Sequence, residues 1–194
     1  MESSKSTPKF NLPTLLTLSR IVIIPLFIVV TPANPLAGAA IFSLASLTDF
    51  LDGYLARRSG QITKFGIILD PIADKFLVIS ALILLVDMGA VSVWIATIII
   101  VREFLITALR VVALSKDIVI KAEMGGKLKT TAQIAAIICL IVGRSFGFLN
   151  DLGIDLFDIG TILMWVSVIL ALTSGVQYTV AFSRRLLGQS GTAS

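Results

Sequence analysis

The stretch Ile21-Val-Ile-Ile-Pro-Leu-Phe-Ile-Val-Val30 runs for ten residues without one polar side chain. A strand of a membrane barrel alternates apolar and polar residues with period two, and this run does not. Ile95 to Val101 repeats the pattern, broken only by Thr97. Both runs are therefore expected to be helices. The composition extends that reading to the whole chain. It is 56% hydrophobic and 14% charged, with a mean hydropathy of +0.98, whereas a soluble domain carries about 25% charge. One membrane span takes roughly 20 residues and a short connection about 4 to 8 more. The 194 residues thus accommodate six spans and no sizeable extramembrane domain. Apolar runs at 13–31, 35–56, 65–86, 91–114, 130–149 and 158–182 predict an all-α, polytopic membrane protein, a six-transmembrane-helix bundle. A single domain over 1–194 is expected, with 1–12 a polar amino-terminal segment that does not read as a removable signal peptide.

The residues that are missing narrow the chemistry. The chain has no histidine, which removes Ser-His and Cys-His catalysis and imidazole metal sites. Any general base must be a carboxylate. One cysteine, Cys139, supports neither a disulfide framework nor a thiolate zinc site, and its place in an apolar run reads as packing. All six prolines lie at or before Pro71. Pro13 suits a helix start, Pro32 and Pro35 bracket a tight connection, and Pro25 and Pro71 fall inside spans.

The net charge of +4 does not call for nucleic acid, because its distribution follows the positive-inside bias. In a six-span arrangement Lys5, Lys9, Arg57, Arg58, Lys64, Lys116, Lys121, Lys127, Lys129, Arg184 and Arg185 fall on one side. Arg144 falls on the other. Both termini are expected to be cytoplasmic, in a multi-pass protein of the inner (cytoplasmic) membrane, with Asp151, Asp155 and Asp158 facing outward.

Against this background four charges are out of place. The second span contains Thr48-Asp-Phe-Leu-Asp-Gly-Tyr-Leu-Ala-Arg57, and the third contains Phe65-Gly-Ile-Ile-Leu-Asp-Pro-Ile-Ala-Asp-Lys75. Each Asp at a helix centre costs about 2.5 to 3.5 kcal/mol on the insertion scale if it faces lipid. Spacings of three and four place Asp49 with Asp52, and Asp70 with Asp74, on one face of each helix. Counting about 1.5 Å per residue from Arg57 and Lys64, the two pairs share a layer just below the cytoplasmic surface. Four carboxylates brought together there require cations, and all-oxygen ligands favour Mg²⁺ or Mn²⁺. Two readings without catalysis remain open at this point. One is a salt-bridge cluster with Arg57, Arg58 and Lys75, although three cations do not balance four anions and buried ion pairs stabilise poorly. The other is an Asp-lined ion or metal transporter.

The full string is Asp49-x-x-Asp52-Gly53-x-x-Ala56-Arg57, eight residues, then Gly66-x-x-x-Asp70-x-x-x-Asp74. It matches every fixed position of the CDP-alcohol phosphotransferase signature. Asn11 to Arg20, Arg102 to Arg110 and Gly126 to Gln133 resemble the corresponding strings of the bacterial phosphatidylglycerophosphate synthases in that family, so the resemblance covers most of the chain. It implies transfer of a phosphatidyl group from the lipid CDP-diacylglycerol to sn-glycerol 3-phosphate, giving phosphatidylglycerophosphate and CMP. It also implies a homodimer, an active site facing the cytoplasm, and two divalent ions, Mg²⁺ or Mn²⁺, held by Asp49, Asp52, Asp70 and Asp74.

In the family Asp74 corresponds to the general base. Gly53, Ala56 and Gly66 are carried over as positions beside the nucleotide, where small residues permit close approach; helix packing is the competing use of such residues. Arg57 would bind a phosphate oxygen of the CDP moiety. The acceptor's own phosphate needs further cations, for which Arg102, Arg110, Lys127 and Lys129 are the candidates. Arg102 lies more than two turns inside its span and is costly there unless an anion or Glu103 is near. Arg20 can instead snorkel to the interface, and Asn11, Thr14 and Thr17 serve equally as capping residues or headgroup contacts. Other acceptors, namely inositol phosphate, serine or phosphatidylglycerol, share the CDP half of the signature. Intramembrane prenyltransferases also bind diphosphates through aspartates, but they need more spans.

Overall fold

The computed structural model describes residues 12–59, 64–115, 124–144, 153 and 155–190, with side chains over 22–48, 75–113, 115, 128–144, 153 and 155–186. The described residues form six helices and no strand: α1 (Leu12–Ala33), α2 (Pro35–Ser59), α3 (Lys64–Asp87), α4 (Val93–Ser115), α5 (Met124–Gly143) and α6 (Leu156–Ser190). The chain divides into two compact units between Ala81 and Leu82, within α3.

In the first unit α1 packs along α2. The connection between them is one residue. Asn34 accepts a hydrogen bond at Oδ1 from the Ala37 backbone N–H at 3.1 Å, which makes it the N-cap of α2 and places Pro35 at the first helical position, where its missing N–H costs nothing. Phe27 and Phe42 are fully buried against each other, with ring centroids 5.6 Å apart and planes tilted by 40°. At Gly38 the helices approach closely. A Cβ there would lie 2.2 Å from Thr31 Oγ1, and Thr31 spends its hydroxyl on the carbonyl of Phe27 at 2.6 Å.

The second unit opens with the end of α3. Gly89 has φ +67°, and the N–H groups of Gly89 and Ala90 donate to the carbonyls of Val86 and Leu85, a Schellman closure that needs the left-handed residue at this position. Arg144 Nη1 donates to the Met88 carbonyl in the same turn. Ser92 Oγ then accepts from the Trp94 N–H at the start of α4. Asp155 caps α6 by accepting at Oδ1 from Phe157 N–H at 2.8 Å. α5 packs along α6, and α4 packs against α6 as well. The main chains of α5 and α6 come so close that a Cβ on Gly160 would lie 2.9 Å from Leu140 N, and one on Gly143 would lie 2.6 Å from Phe157 N. The buried stripe of α6, Met164, Ser167, Val168, Ala171 and Ser174, recurs at three and four residues.

The expected fifth run, 130–149, is shifted. α5 starts at Met124 and closes at Gly143. Hydropathy places no apolar run over Gly125 to Lys129, but a helix propagates on backbone hydrogen bonds, and this turn brings Lys129 inside, where it is 4% exposed. α6 likewise outruns its apolar stretch and carries Arg184 and Arg185 beyond 182. Among the described residues, the stretch Leu156–Leu186 of α6 is long and apolar enough to cross a membrane. Val22–Ala33, Pro35–Thr48 and Leu128–Gly143 are shorter apolar stretches.

Candidate active site

Both aspartate pairs lie on helix. α2 carries Asp49, Asp52, Gly53, Ala56 and Arg57 in its last three turns, and α3 carries Gly66, Asp70 and Asp74 in its first three. The side chains of these eight residues and of Lys127 lie outside the described residues, as do those of Asn11, Thr14, Thr17 and Arg20. Among the described residues no group of His, Cys, Asp or Glu side chains is placed to hold a metal ion. The donor set that the helical positions provide is four carboxylates, which suits a hard divalent cation with oxygen ligands.

The described side chains build a second cluster, in the unit formed by α4, α5 and α6. The Arg102 guanidinium reaches across to α6, where Nε donates to the Ala171 carbonyl at 2.9 Å and Nη2 to Ser174 Oγ at 2.7 Å. Its third direction is taken by Glu103, at 3.0 Å from Nη1 to Oε1. Lys129 of α5 pairs with the same carboxylate oxygen. One carboxylate therefore ties cations from two helices, and Arg102 ties both to the third. The side chains of Arg102, Glu103 and Lys129 are 13%, 18% and 6% exposed, so little solvent screens these contacts. Gly175 lies beside the aliphatic part of Arg102, with a virtual Cβ 3.7 Å from Cγ.

Among the four expected acceptor cations, then, the structure joins Arg102 and Lys129 through Glu103. Arg110 is separate. It is exposed, two turns farther along α4, and its guanidinium carbon lies 6.0 Å from the ring centroid of Tyr178 on α6, within cation–π range. Glu103 answers the sequence's demand for an anion beside Arg102. Ser174, the Ala171 carbonyl and Tyr178 are partners that the sequence does not mark. No local signal marks them, because Ser174 and Tyr178 are about 70 residues away in the chain and become neighbours only when α4 packs on α6. Gln133 is 3% exposed, and among the described residues its Nε2 has no hydrogen-bond partner.

Fold and site together define an all-α protein of apolar helices that carries two aspartate pairs and a buried, ion-paired cationic cluster. The family model of the CDP-alcohol phosphatidyltransferases matches residues 10–173, which include the aspartate string and the Arg102, Glu103 and Lys129 cluster. A protein of Bacillus subtilis (strain 168) named CDP-diacylglycerol--glycerol-3-phosphate 3-phosphatidyltransferase is 40% identical over 187 residues, covering 87% of this chain and 93% of its own. A protein of the same name from Escherichia coli (strain K12) is 40% identical over 190 residues, covering 93% of this chain and all of its own. The chain belongs to the CDP-alcohol phosphatidyltransferase family.

Proposed function

We propose that this protein transfers the phosphatidyl group of CDP-diacylglycerol to sn-glycerol 3-phosphate, releasing CMP. The observation that carries the proposal is the full aspartate string inside a family match from 10 to 173, with relatives 40% identical over nearly their whole length that bear the name of this reaction. The match crosses the division at Ala81, which supports one catalytic domain over 1–194.

In the reaction the primary hydroxyl oxygen of the acceptor attacks the phosphorus that carries diacylglycerol. The bond from that phosphorus to the bridging oxygen breaks, and CMP leaves. Asp74 takes the hydroxyl proton, since no histidine exists to do so. Asp49, Asp52, Asp70 and Asp74 are the residues to hold two Mg²⁺ or Mn²⁺ ions, which when bound polarise the phosphoryl oxygens and offset charge on the leaving group. Gly53, Ala56, Arg57 and Gly66 receive the CDP moiety. Of the four cations Arg102, Arg110, Lys127 and Lys129, Arg110 and Lys127 serve the acceptor phosphate directly. Among the described side chains of these four, Arg110 is the exposed one and contacts the phosphate, whereas Arg102 and Lys129 are engaged with Glu103 and organise the three helices.

The protein works in the membrane as a six-span bundle with both termini and the active site on the cytoplasmic side, as a homodimer in the inner membrane. The exposure of large apolar side chains supports the membrane assignment. Trp94, Ile98, Val101, Leu105 and Val112 recur along one face of α4, and Ile162, Trp165, Ile169, Leu172 and Val176 along one face of α6. Such continuous apolar faces are rare on soluble monomers. The test is to incubate the purified protein with CDP-diacylglycerol and labelled sn-glycerol 3-phosphate, and in parallel with serine, inositol phosphate or phosphatidylglycerol. Phosphatidylglycerophosphate and CMP in equal amounts are expected, lost in excess EDTA and restored by Mg²⁺ or Mn²⁺. Preference for another acceptor reassigns the substrate, and turnover in EDTA refutes the metal role.

A further inference from the structure

The buried stripe of α5 changes character along its length. Lys129, Gln133, Ala136, Ile137, Leu140 and Ile141 are its buried positions, spaced by three and four residues on one helix face. From Ala136 onward the stripe is apolar. Its first two members are polar, and Lys129 pairs with Glu103. Gln133 follows one turn later on the same face, 3% exposed, and its Nε2 has no partner among the described residues.

An amide nitrogen carries two N–H donors, and in an apolar interior unsatisfied donors cost more than a finished hydrogen bond returns. Leu or Met, of similar volume, would continue the apolar stripe without that cost. A buried donor left open one turn from the Lys129–Glu103 pair is a group that a ligand can complete.

We propose that Gln133 is a specificity-determining residue of acceptor binding, donating from Nε2 to the C2 hydroxyl oxygen of sn-glycerol 3-phosphate. The inference rests on the phosphatidyl-transfer reading above and deepens it. The acceptor offers three polar groups. Its phosphate is a dianion, for which charged donors are the stronger partners. Its C1 hydroxyl gives up its proton and attacks. The C2 hydroxyl remains, neutral and in need of a partner once it leaves water, and a neutral amide supplies one without adding charge. A site built around a substrate hydroxyl rejects the analogue that lacks it, because the buried protein donor is then left unpaired.

The experiment is a cycle of two acceptors and two enzymes, using the full chain in mixed micelles with CDP-diacylglycerol. The acceptors are sn-glycerol 3-phosphate and 3-hydroxypropyl phosphate, which keeps the primary hydroxyl and the phosphate but lacks the C2 hydroxyl. The native enzyme is expected to favour sn-glycerol 3-phosphate in kcat/KM by roughly 10-fold to 100-fold, the range of one hydrogen bond to a buried donor. Gln133→Leu should bring the ratio close to one by losing activity on sn-glycerol 3-phosphate alone, with the KM for CDP-diacylglycerol unchanged. Gln133→Met serves the same purpose if the Leu variant does not fold, and the ratio of the native enzyme needs no variant. A native ratio near one overturns the inference, as does a variant that keeps the native ratio or loses both acceptors equally. Transfer by the native enzyme to neither acceptor overturns the phosphatidyl-transfer reading itself, and this inference with it.

Discussion

Replacing Arg102 by Met tests whether the three-helix joint is held by the guanidinium or only by apolar packing. Met fills much of the same space and brings no charge, so the substitution removes the bonds to Glu103, Ser174 and the Ala171 carbonyl with little cavity. A hydrogen bond made by a charged group contributes about 1.5 to 3 kcal/mol. The three are not independent, since one rigid fork makes them all and Glu103 keeps its pairing with Lys129. The cost of removing one partner from a buried ion pair, about 3 to 5 kcal/mol, is the upper bound here, because Lys129 still compensates Glu103. Arg102→Met should therefore lower the unfolding free energy by about 1.5 to 5 kcal/mol, while Ser174→Ala, which removes one bond, should cost about 1.5 to 3 kcal/mol. Combined, the two should cost less than their sum, because both delete the same contact. The assay is unfolding in micelles of rising SDS fraction, followed by the fluorescence of Trp94 and Trp165. The KM for sn-glycerol 3-phosphate of the folded variant should stay within about threefold, under the ~1.4 kcal/mol that a tenfold change represents. A stability loss below about 1 kcal/mol, or an intact fold with a tenfold or larger rise in acceptor KM, would refute the assignment and place Arg102 on the acceptor.

Arg110→Ala should raise the KM for sn-glycerol 3-phosphate by roughly 10-fold to 150-fold, the equivalent of one charge-assisted bond, and affect CDP-diacylglycerol much less; Arg110→Lys should rescue only in part, because an ammonium lacks the guanidinium fork. Equal impairment of both substrates would exclude a direct phosphate contact. Asp74→Asn should keep appreciable CDP-diacylglycerol binding but lose nearly all transfer, whereas Asp70→Asn should also weaken metal-dependent binding; retained turnover in Asp74→Asn removes it from the base role. Single cysteines at Gln61 and Ala122, introduced with Cys139 replaced, should resist an impermeant thiol reagent in intact cells, and one at Asp151 should label. The reverse pattern would invert the topology.

The amino-acid sequence determined the class of the molecule because the properties involved are local or additive. Continuous apolar runs such as Ile21 to Val30 specify helix within one segment, and Asn34-Pro35, Gly89 and Asp155 set helix ends with contacts no more than five residues away. The aspartate string was legible for the same reason: two helices and fixed spacings of three and four carry the chemical pattern without reference to any other part of the chain. Hydropathy failed where a polar turn is paid for by a distant partner. The turn around Lys129 reads as a surface loop until Glu103, 26 residues away, supplies the carboxylate that lets it enter the bundle. Only tertiary structure decided which cations are committed to that joint and which of the described ones stay exposed, that Arg102 directs its donors to Ala171 and Ser174 of α6, and that Gln133 is buried with a nitrogen unpaired among the described residues. Those outcomes depend on the packing of α4, α5 and α6, and the energy of a charge in an apolar interior depends on which groups end up within about 3 Å of it.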